Sequence, residues 1–295
     1  MKTEGDIFIE SYRELQKKYR NCHPQELTES VVNFIKFGIS YLNTVTKIEL
    51  ISKVPDKAYF AFLRNPEDTK TRSRAINSGL FNLDILTEEH LLNVFSRSTD
   101  FSSENVTQTV YSSTILVCAA NDLLKRNDQK SPGTMFEIFI TCILKNFFKI
   151  EPKHSLEVLN LDMATKLPTD LIFDLGSNNP KFHIPIKTST RERMIQLYAH
   201  QRVLDGVYGV GRFAGLPMIL AETKTDSRKL EVVEICLPDQ WVLYQMYISQ
   251  LWGVCYLDMP IQYSKLAVSF PKIQVCTLGD YLGKGGRLSV FLNGI

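Results

Sequence analysis

A chain of 295 residues, 44% hydrophobic and 22% charged, is long enough to bury a substantial core, as one large domain or as a core with an appended subdomain. No segment has the length and apolarity of a membrane span, and the charged opening MKTEGDIFIESYRELQKKYR lacks the apolar centre of a signal peptide. The net charge of +2 neither requires nor excludes a nucleic-acid partner, so any such partner must meet positive charge concentrated in a cleft.

Apolar spacing predicts amphipathic helices over residues 6–19 and 29–44, the second capped at Thr28-Glu29-Ser30. A short strand over 57–63 and a polar loop, RNPEDTKTRSRAINSG, over 64–79 come next, then helices over 85–96 and 107–126. The first 125 residues therefore read as mainly helical. DQKSPG is a turn signal; Ser131-Pro132 supplies a cap and first residue for a helix over 133–148. Strands follow at 155–160, 168–175, 182–188, 216–222 and 230–236, with helices near 190–205 and 238–250. Residues 126–295 thus read as α/β with a mixed sheet. The six cysteines form no CxxC and no Cys/His cluster, which fits reduced thiols and argues against a structural zinc site.

The stretch PTDLIFDLGSNNPKFHIPIKTS, 168–189, is a candidate hairpin about a Gly-Ser-Asn-Asn-Pro turn. Leu171, Phe173 and Leu175 share one face with Phe182, Ile184 and Ile186. The other face carries Asp170, Asp174, His183 and Lys187, and pairing about the turn sets Asp170 almost opposite Lys187. An exposed Asp–Lys pair is ordinarily a weak ion pair. The alternative is a phosphodiesterase centre, in which the carboxylate holds a divalent cation and the ammonium meets phosphate and water.

Pro168-Thr169-Asp170, a hairpin and then Pro185-Ile186-Lys187 resemble the PD-(D/E)xK nuclease core. Lys187, Ser189, Arg191, Glu192 and Arg193 form K-x-S-x-R-E-R, which resembles the motif of type II restriction endonucleases that read CC and GG half-sites. The resemblance covers residues 130–205 best. It implies an α/β (α+β) fold with a mixed central sheet flanked by helices. Residues 1–125 would form a helical region for DNA contact or dimerisation, and 126–295 the nuclease core. In chemical terms, arginine is bidentate to guanine and a carboxylate accepts from the cytosine amino group, so Arg191, Glu192 and Arg193 can read adjacent G and C edges. The competing role for Ser189 and Glu192 is a capping box on the helix that follows.

The chain departs from the pattern at two places. Pro185 stands where the second acid is expected, and the position thirteen residues after Lys187, where that acid often moves, is His200, followed by Gln201. Glu137 in GTMFEIF is the replacement acid the resemblance favours, unless it lies on the wet face of its helix. Asp174 and Asp205 are poorer choices. The site implied is catalytic Asp170, Lys187, Glu137, His200 and Gln201, with Asp170 and Glu137 holding Mg2+. Double-stranded DNA is the partner, a homodimer the working form, and a cognate methyltransferase its companion in a bacterial cytoplasm. A structure-selective repair or resolvase nuclease, or a binding protein with a decayed site, are the alternatives. Lys70, Arg72 and Arg74 are further candidates for phosphate contact, against the ordinary reading of a solvated loop. YLGKGGRL, 281–288, is not a P-loop. Trp241, Tyr244 and Tyr247 read as core or dimer packing.

Overall fold

Two helices open the chain and lay their apolar stripes together. α1 (Glu4–Lys18) buries Phe8, Tyr12 and Leu15 at helical spacing, and α2 (Pro24–Leu42) buries Val31, Val32, Phe34 and Ile35. Phe8 stacks on Phe34 with ring centres 4.8 Å apart. The second helix begins at Pro24 rather than near Glu29, because proline's fixed φ suits the first turn. Thr28 is then interior to the helix and buried, its hydroxyl donating back to the Pro24 carbonyl rather than capping. The computed structural model describes residues 2–20, 22–68, 70–159, 164–176, 179–226 and 228–294, without the side chains of Leu159, Ala164, Glu192 and Ala267.

The N-terminal third is mainly helical, as its sequence suggests, with a small ladder of strands set among the helices. β1 (Thr46–Ser52), β2 (Tyr59–Leu63) and β3 (Ile76–Asn77) form an antiparallel ladder. α3 (Glu88–Ser96) and α4 (Ser103–Leu124) follow. α4 is buried round most of its circumference, so its sequence shows no clean stripe. α5 (Lys130–Phe148) contains Ser131 and Pro132 in its first turn and packs Phe139 edge-on against Phe34 and Phe95.

The second half builds the sheet that carries the site. β4 (Lys153–Leu159), β5 (Ala164–Phe173), β6 (Lys181–Ile184) and β7 (Ile186–Lys187) come first, then a 3-10 turn (Arg191–Arg193) and α6 (Ile195–Tyr208). β8 (Phe213–Gly215), β9 (Met218–Ile219), β10 (Thr223–Thr225), β11 (Glu231–Glu234) and α7 (Pro238–Tyr247) come next. β12 (Val254–Tyr256), α8 (Ile261–Ser269), β13 (Val275–Thr277), α9 (Leu278–Leu282) and α10 (Arg287–Asn293) complete the chain.

β4 and β5 run antiparallel, β5 and β6 antiparallel, and β6 and β8 parallel. Pro185 alone separates β6 from β7, and Leu216-Pro217 separates β8 from β9. β7 and β9 are parallel, then β12 and β13. The Leu216 N–H donates to the His183 carbonyl and that of Met218 to the Pro185 carbonyl, so the prolines bend one curled mixed sheet rather than ending it. Helices α5, α9 and α10 pack on that curl, and α4 packs behind α5 and α9. A single apolar cluster runs from Phe8 and Val31 through Phe139 to Phe173, Phe182 and Leu288, drawing on both halves of the sequence. β1 also pairs in parallel with β11, so a strand from the first third shares a sheet with β10 and β11 from the last. Among the described residues no helix is long and apolar enough to cross a membrane, and all six cysteines are free.

Candidate active site and nucleic-acid interface

The hairpin forms, with the alternation its sequence sets. Leu171, Phe173, Phe182 and Ile184 are buried on one face. The partners are Leu171 with Ile184, Ile172 with His183, and Phe173 with Phe182. Ser177 and Asn178 of the expected turn lie outside the described residues. This register sets Asp170 against Pro185, so Lys187 is two residues beyond its level. The two side chains nevertheless meet. Asp170 Oδ2 accepts from Lys187 Nζ at 2.8 Å and from the Ile186 N–H at 2.7 Å. Proline has no N–H to place at 185, and Asp170 takes up the donor just after it. Among the described residues Asp170 Oδ1 accepts no hydrogen bond, which leaves it open for a further partner.

Asp170 and Lys187 line a cavity of about 280 Å³ with Thr169, His183, Gln196 and His200. His183 is wholly buried, and its ring lies over that of His200 at 6.1 Å. Neither His183 nitrogen, nor the neighbouring Gln201 Oε1, reaches a hydrogen-bond partner at good geometry among the described residues. Burial, with help from His200, pushes His183 down to about 4; burial and Lys187 also lower His200. Both imidazoles are therefore neutral near pH 7.

The other sequence candidates are placed apart from this cavity. Gln201 is buried with its amide donating to Asp205 and to the Phe213 carbonyl, both at 3.0 Å. Gly215 makes room for it, since a Cβ there would stand 2.5 Å from Gln201 Oε1. Glu137 is half-buried on α5, where its carboxylate accepts from the Tyr19 hydroxyl at 2.6 Å. Burial and this carboxylate push the Tyr19 phenol far up, which keeps it a donor. The Tyr19 ring meets His154 edge-on, and His154 Nδ1 lies 2.7 Å from the backbone carbonyl of Asp170, so Glu137 connects to the Asp170 backbone only through a ring contact and a hydrogen bond. Asp174 is paired with Lys181 at the far end of the hairpin. Among the described residues no three His, Cys, Asp or Glu side chains converge as a ready metal site.

Beyond Lys187 the chain turns into Arg191–Arg193. Arg191 takes φ +43°, a left-handed conformation that side-chain-bearing residues avoid. Thr190 gives the turn no side-chain cap, and α6 starts only at Ile195; the capping box read for Ser189 and Glu192 rests on the Glu192 side chain, which lies outside the described residues. Arg191 and Arg193 open on a groove of about 590 Å³ lined also by Lys70, Arg72, Arg74 and Arg126. Two acids share that groove, and both are engaged. Asp122 takes a bidentate grip from Arg74, with both bonds at 2.8 Å, and Asp128 accepts from Ser131 and Lys130. Asp122 offsets only Arg74, so a modest net charge is gathered into one strongly positive cleft.

Glu222 is the residue that sequence reasoning missed. It follows β9 by three residues and is 1% exposed. Its Oε1 and Oε2 accept from the Thr190 N–H at 2.9 and 3.1 Å, Oε2 from the Arg191 N–H at 3.1 Å, and Oε1 from the Tyr256 hydroxyl at 3.0 Å. The Thr190 hydroxyl donates to the same carboxylate. Burial raises its pKa while these donors pull it back. Nothing local signals the role, since MILAET, 218–223, reads only as an acid after an apolar run.

No family model and no curated protein matches the sequence. Among solved structures, the type IIP restriction endonuclease Kpn2I is similar over 97% of this chain and 97% of its own, with 25% identity and a TM-score of 0.77. Restriction endonuclease PspGI, solved as a complex with substrate DNA, matches 72% of this chain and 91% of its own at 13% identity and a TM-score of 0.48. A curled mixed sheet flanked by helices, and a likeness to Kpn2I that runs the length of both chains, identify a restriction-endonuclease fold and a site-specific deoxyribonuclease.

Proposed function

We propose that this protein is a type II restriction endonuclease that uses Mg2+ to cut both strands of DNA at a short palindromic site containing CC and GG. One observation carries the reading. The Asp170–Lys187 contact at 2.8 Å sits at the end of the same strand whose next turn delivers Arg191 and Arg193 into a basic groove. Cutting and reading chemistry thus share one short piece of backbone.

Asp170 would hold the cation; Glu137, the second carboxylate of this reading, stands outside the Asp170 cavity and would have to leave the Tyr19 hydroxyl to reach it. Magnesium commonly takes one or two protein carboxylates and completes its shell with water and phosphate oxygens, which fits a cavity with a single acid. When bound, it supplies Lewis-acid neutralisation of the scissile phosphate. Lys187 gives one N–H to Asp170 and has two more, which hold the phosphate and the attacking water in line. His200, neutral and in the cavity wall, accepts a hydrogen bond from that water and orients it. The products are 5′-phosphate and 3′-hydroxyl ends.

Arg191 and Arg193 read guanine edges in the major groove and Glu192 a cytosine amino group. A palindromic site needs two matching half-sites, so the working form is a homodimer. A companion methyltransferase protects the same sites in a bacterial cytoplasm. The test is a digest of phage DNA with Mg2+ or with EDTA, beside Lys187→Ala. Discrete Mg2+-dependent bands absent from the variant are expected; a uniform smear would replace this reading with a non-specific nuclease.

A further inference from the structure

We infer that Glu222 is the positioning residue of the recognition turn: its buried carboxylate fixes the backbone of Thr190 and Arg191 and thereby sets where Arg191 and Arg193 stand in the groove. The inference rests on reading those two arginines as base-contacting groups.

Among the described residues Glu222 has no cationic partner. Every hydrogen bond its carboxylate accepts comes from Thr190, Arg191 or Tyr256. Burying a carboxylate without a counter-charge is costly, and an apolar side chain would fill the same space without that cost. What the carboxylate adds is geometry. It gathers the two consecutive backbone N–H groups and the Thr190 hydroxyl onto one pair of oxygens. That grip over-determines the turn, which is how Arg191 is kept at φ +43°. The Arg191 Nε is itself buried without a partner in the described structure. This guanidinium is held by its backbone rather than by bonds of its own.

The sheet explains why Glu222 reaches this turn. Ile219 of β9 is level with Lys187 of β7 on one side and with Tyr256 of β12 on the other. Thr190 and Glu222 each lie three residues past that level, and Tyr256 stands at it, pressing its hydroxyl on the carboxylate from the third strand. The reading turn is therefore fastened to the strands that hold the catalytic lysine. A bidentate arginine–guanine contact tolerates little displacement, so loosening the carboxylate blurs base discrimination before it removes binding.

The test measures cleavage rates on duplexes carrying the cognate site and each single-base substitution of it. Glu222→Gln and Thr190→Ala are expected to lower the cognate-to-substituted ratio by at least about tenfold. Tyr256→Phe lowers it less, and Thr190→Ser, which keeps the hydroxyl, restores it. A folded Glu222→Gln protein with an unchanged ratio overturns the inference, as does equal slowing on every duplex, which marks a purely structural role. If Glu222→Gln does not fold, Thr190→Ala and Tyr256→Phe carry the same comparison. Arg191→Ala separates the two readings. A ratio that falls in Arg191→Ala but not in Glu222→Gln defeats the positioning role alone. A ratio untouched in Arg191→Ala defeats base reading by the turn, and this inference with it.

Discussion

Lys187 and Asp170 touch without being cross-strand partners: the ladder pairs Leu171 with Ile184, and the side chains meet across the gap that Pro185 leaves. That gap lets one carboxylate serve the Ile186 N–H and the Lys187 ammonium while keeping an oxygen free. Lys187→Ala is expected to lower the cleavage rate by on the order of a hundred- to a thousandfold with site binding retained. Lys187→Arg is not expected to rescue it, since a planar guanidinium cannot present the compact charge of an ammonium. Single-turnover rates beside a binding assay in Ca2+ check both.

Arg191→Ala and Arg193→Ala are expected to relax discrimination at one base pair each, by about 1–3 kcal/mol. Cutting of a set of one-base-substituted duplexes measures it. Loss of affinity that is uniform across the set would make these arginines phosphate contacts instead.

Lys70 and Arg126 face the same groove from the other wall. Their replacement by alanine is expected to weaken binding evenly across sequences and to reduce the slope of log affinity against log salt by about one each. A salt titration of the wild type and both variants checks this.

His183 is wholly buried, and its pKa is lowered to about 4 from an ordinary value near 6.5. The unfolded chain then binds a proton more readily than the folded one between those values. Stability is full above about pH 6.5 and falls as the pH drops toward 4, by up to on the order of 3 kcal/mol. Thermal unfolding from pH 7 to 4.5 is expected to show the decline, and His183→Leu to flatten part of it.

Lys57 donates to Glu234, Asp258 and the Met259 carbonyl, all at 2.7 Å, and is 13% exposed in its side chain. Lys57→Met leaves two largely buried carboxylates without their cation and is expected to cost about 3–5 kcal/mol. Denaturant unfolding measures it; a change below 1 kcal/mol would show that solvent reaches the pair.

The hairpin was legible because period-two alternation marks Leu171, Phe173, Phe182 and Ile184 as one core face; that Ile172 and His183 on the other face are buried too was not. Its register was not, since the end of the pairing depends on a proline bend that a turn-based count passes over. The helices α1, α3 and α5 follow from apolar spacing, whereas β1 does not: its strand partners lie at Tyr59–Leu63 and at Glu231–Glu234. The same holds for the site. Asp170, Lys187 and the arginine turn are contiguous or one hairpin apart and could be read from spacing. Glu222 and the groove wall from Lys70 to Arg126 come from distant segments, brought together by strand order alone.

The parallel pairing of β1 with β11 has a consequence for how the protein is made. Ile51 waits for Glu231, and Thr190 waits for Glu222 and Tyr256, so the five-stranded sheet cannot close before Glu231 has emerged from the ribosome, nor the Arg191–Arg193 turn be fully fastened before Tyr256 has. A nascent fragment that ends before Glu222 can bring Asp170 and Lys187 together while the Arg191–Arg193 turn is still unfastened. On the proposed reading, the topology makes discrimination the later of the two properties to be acquired.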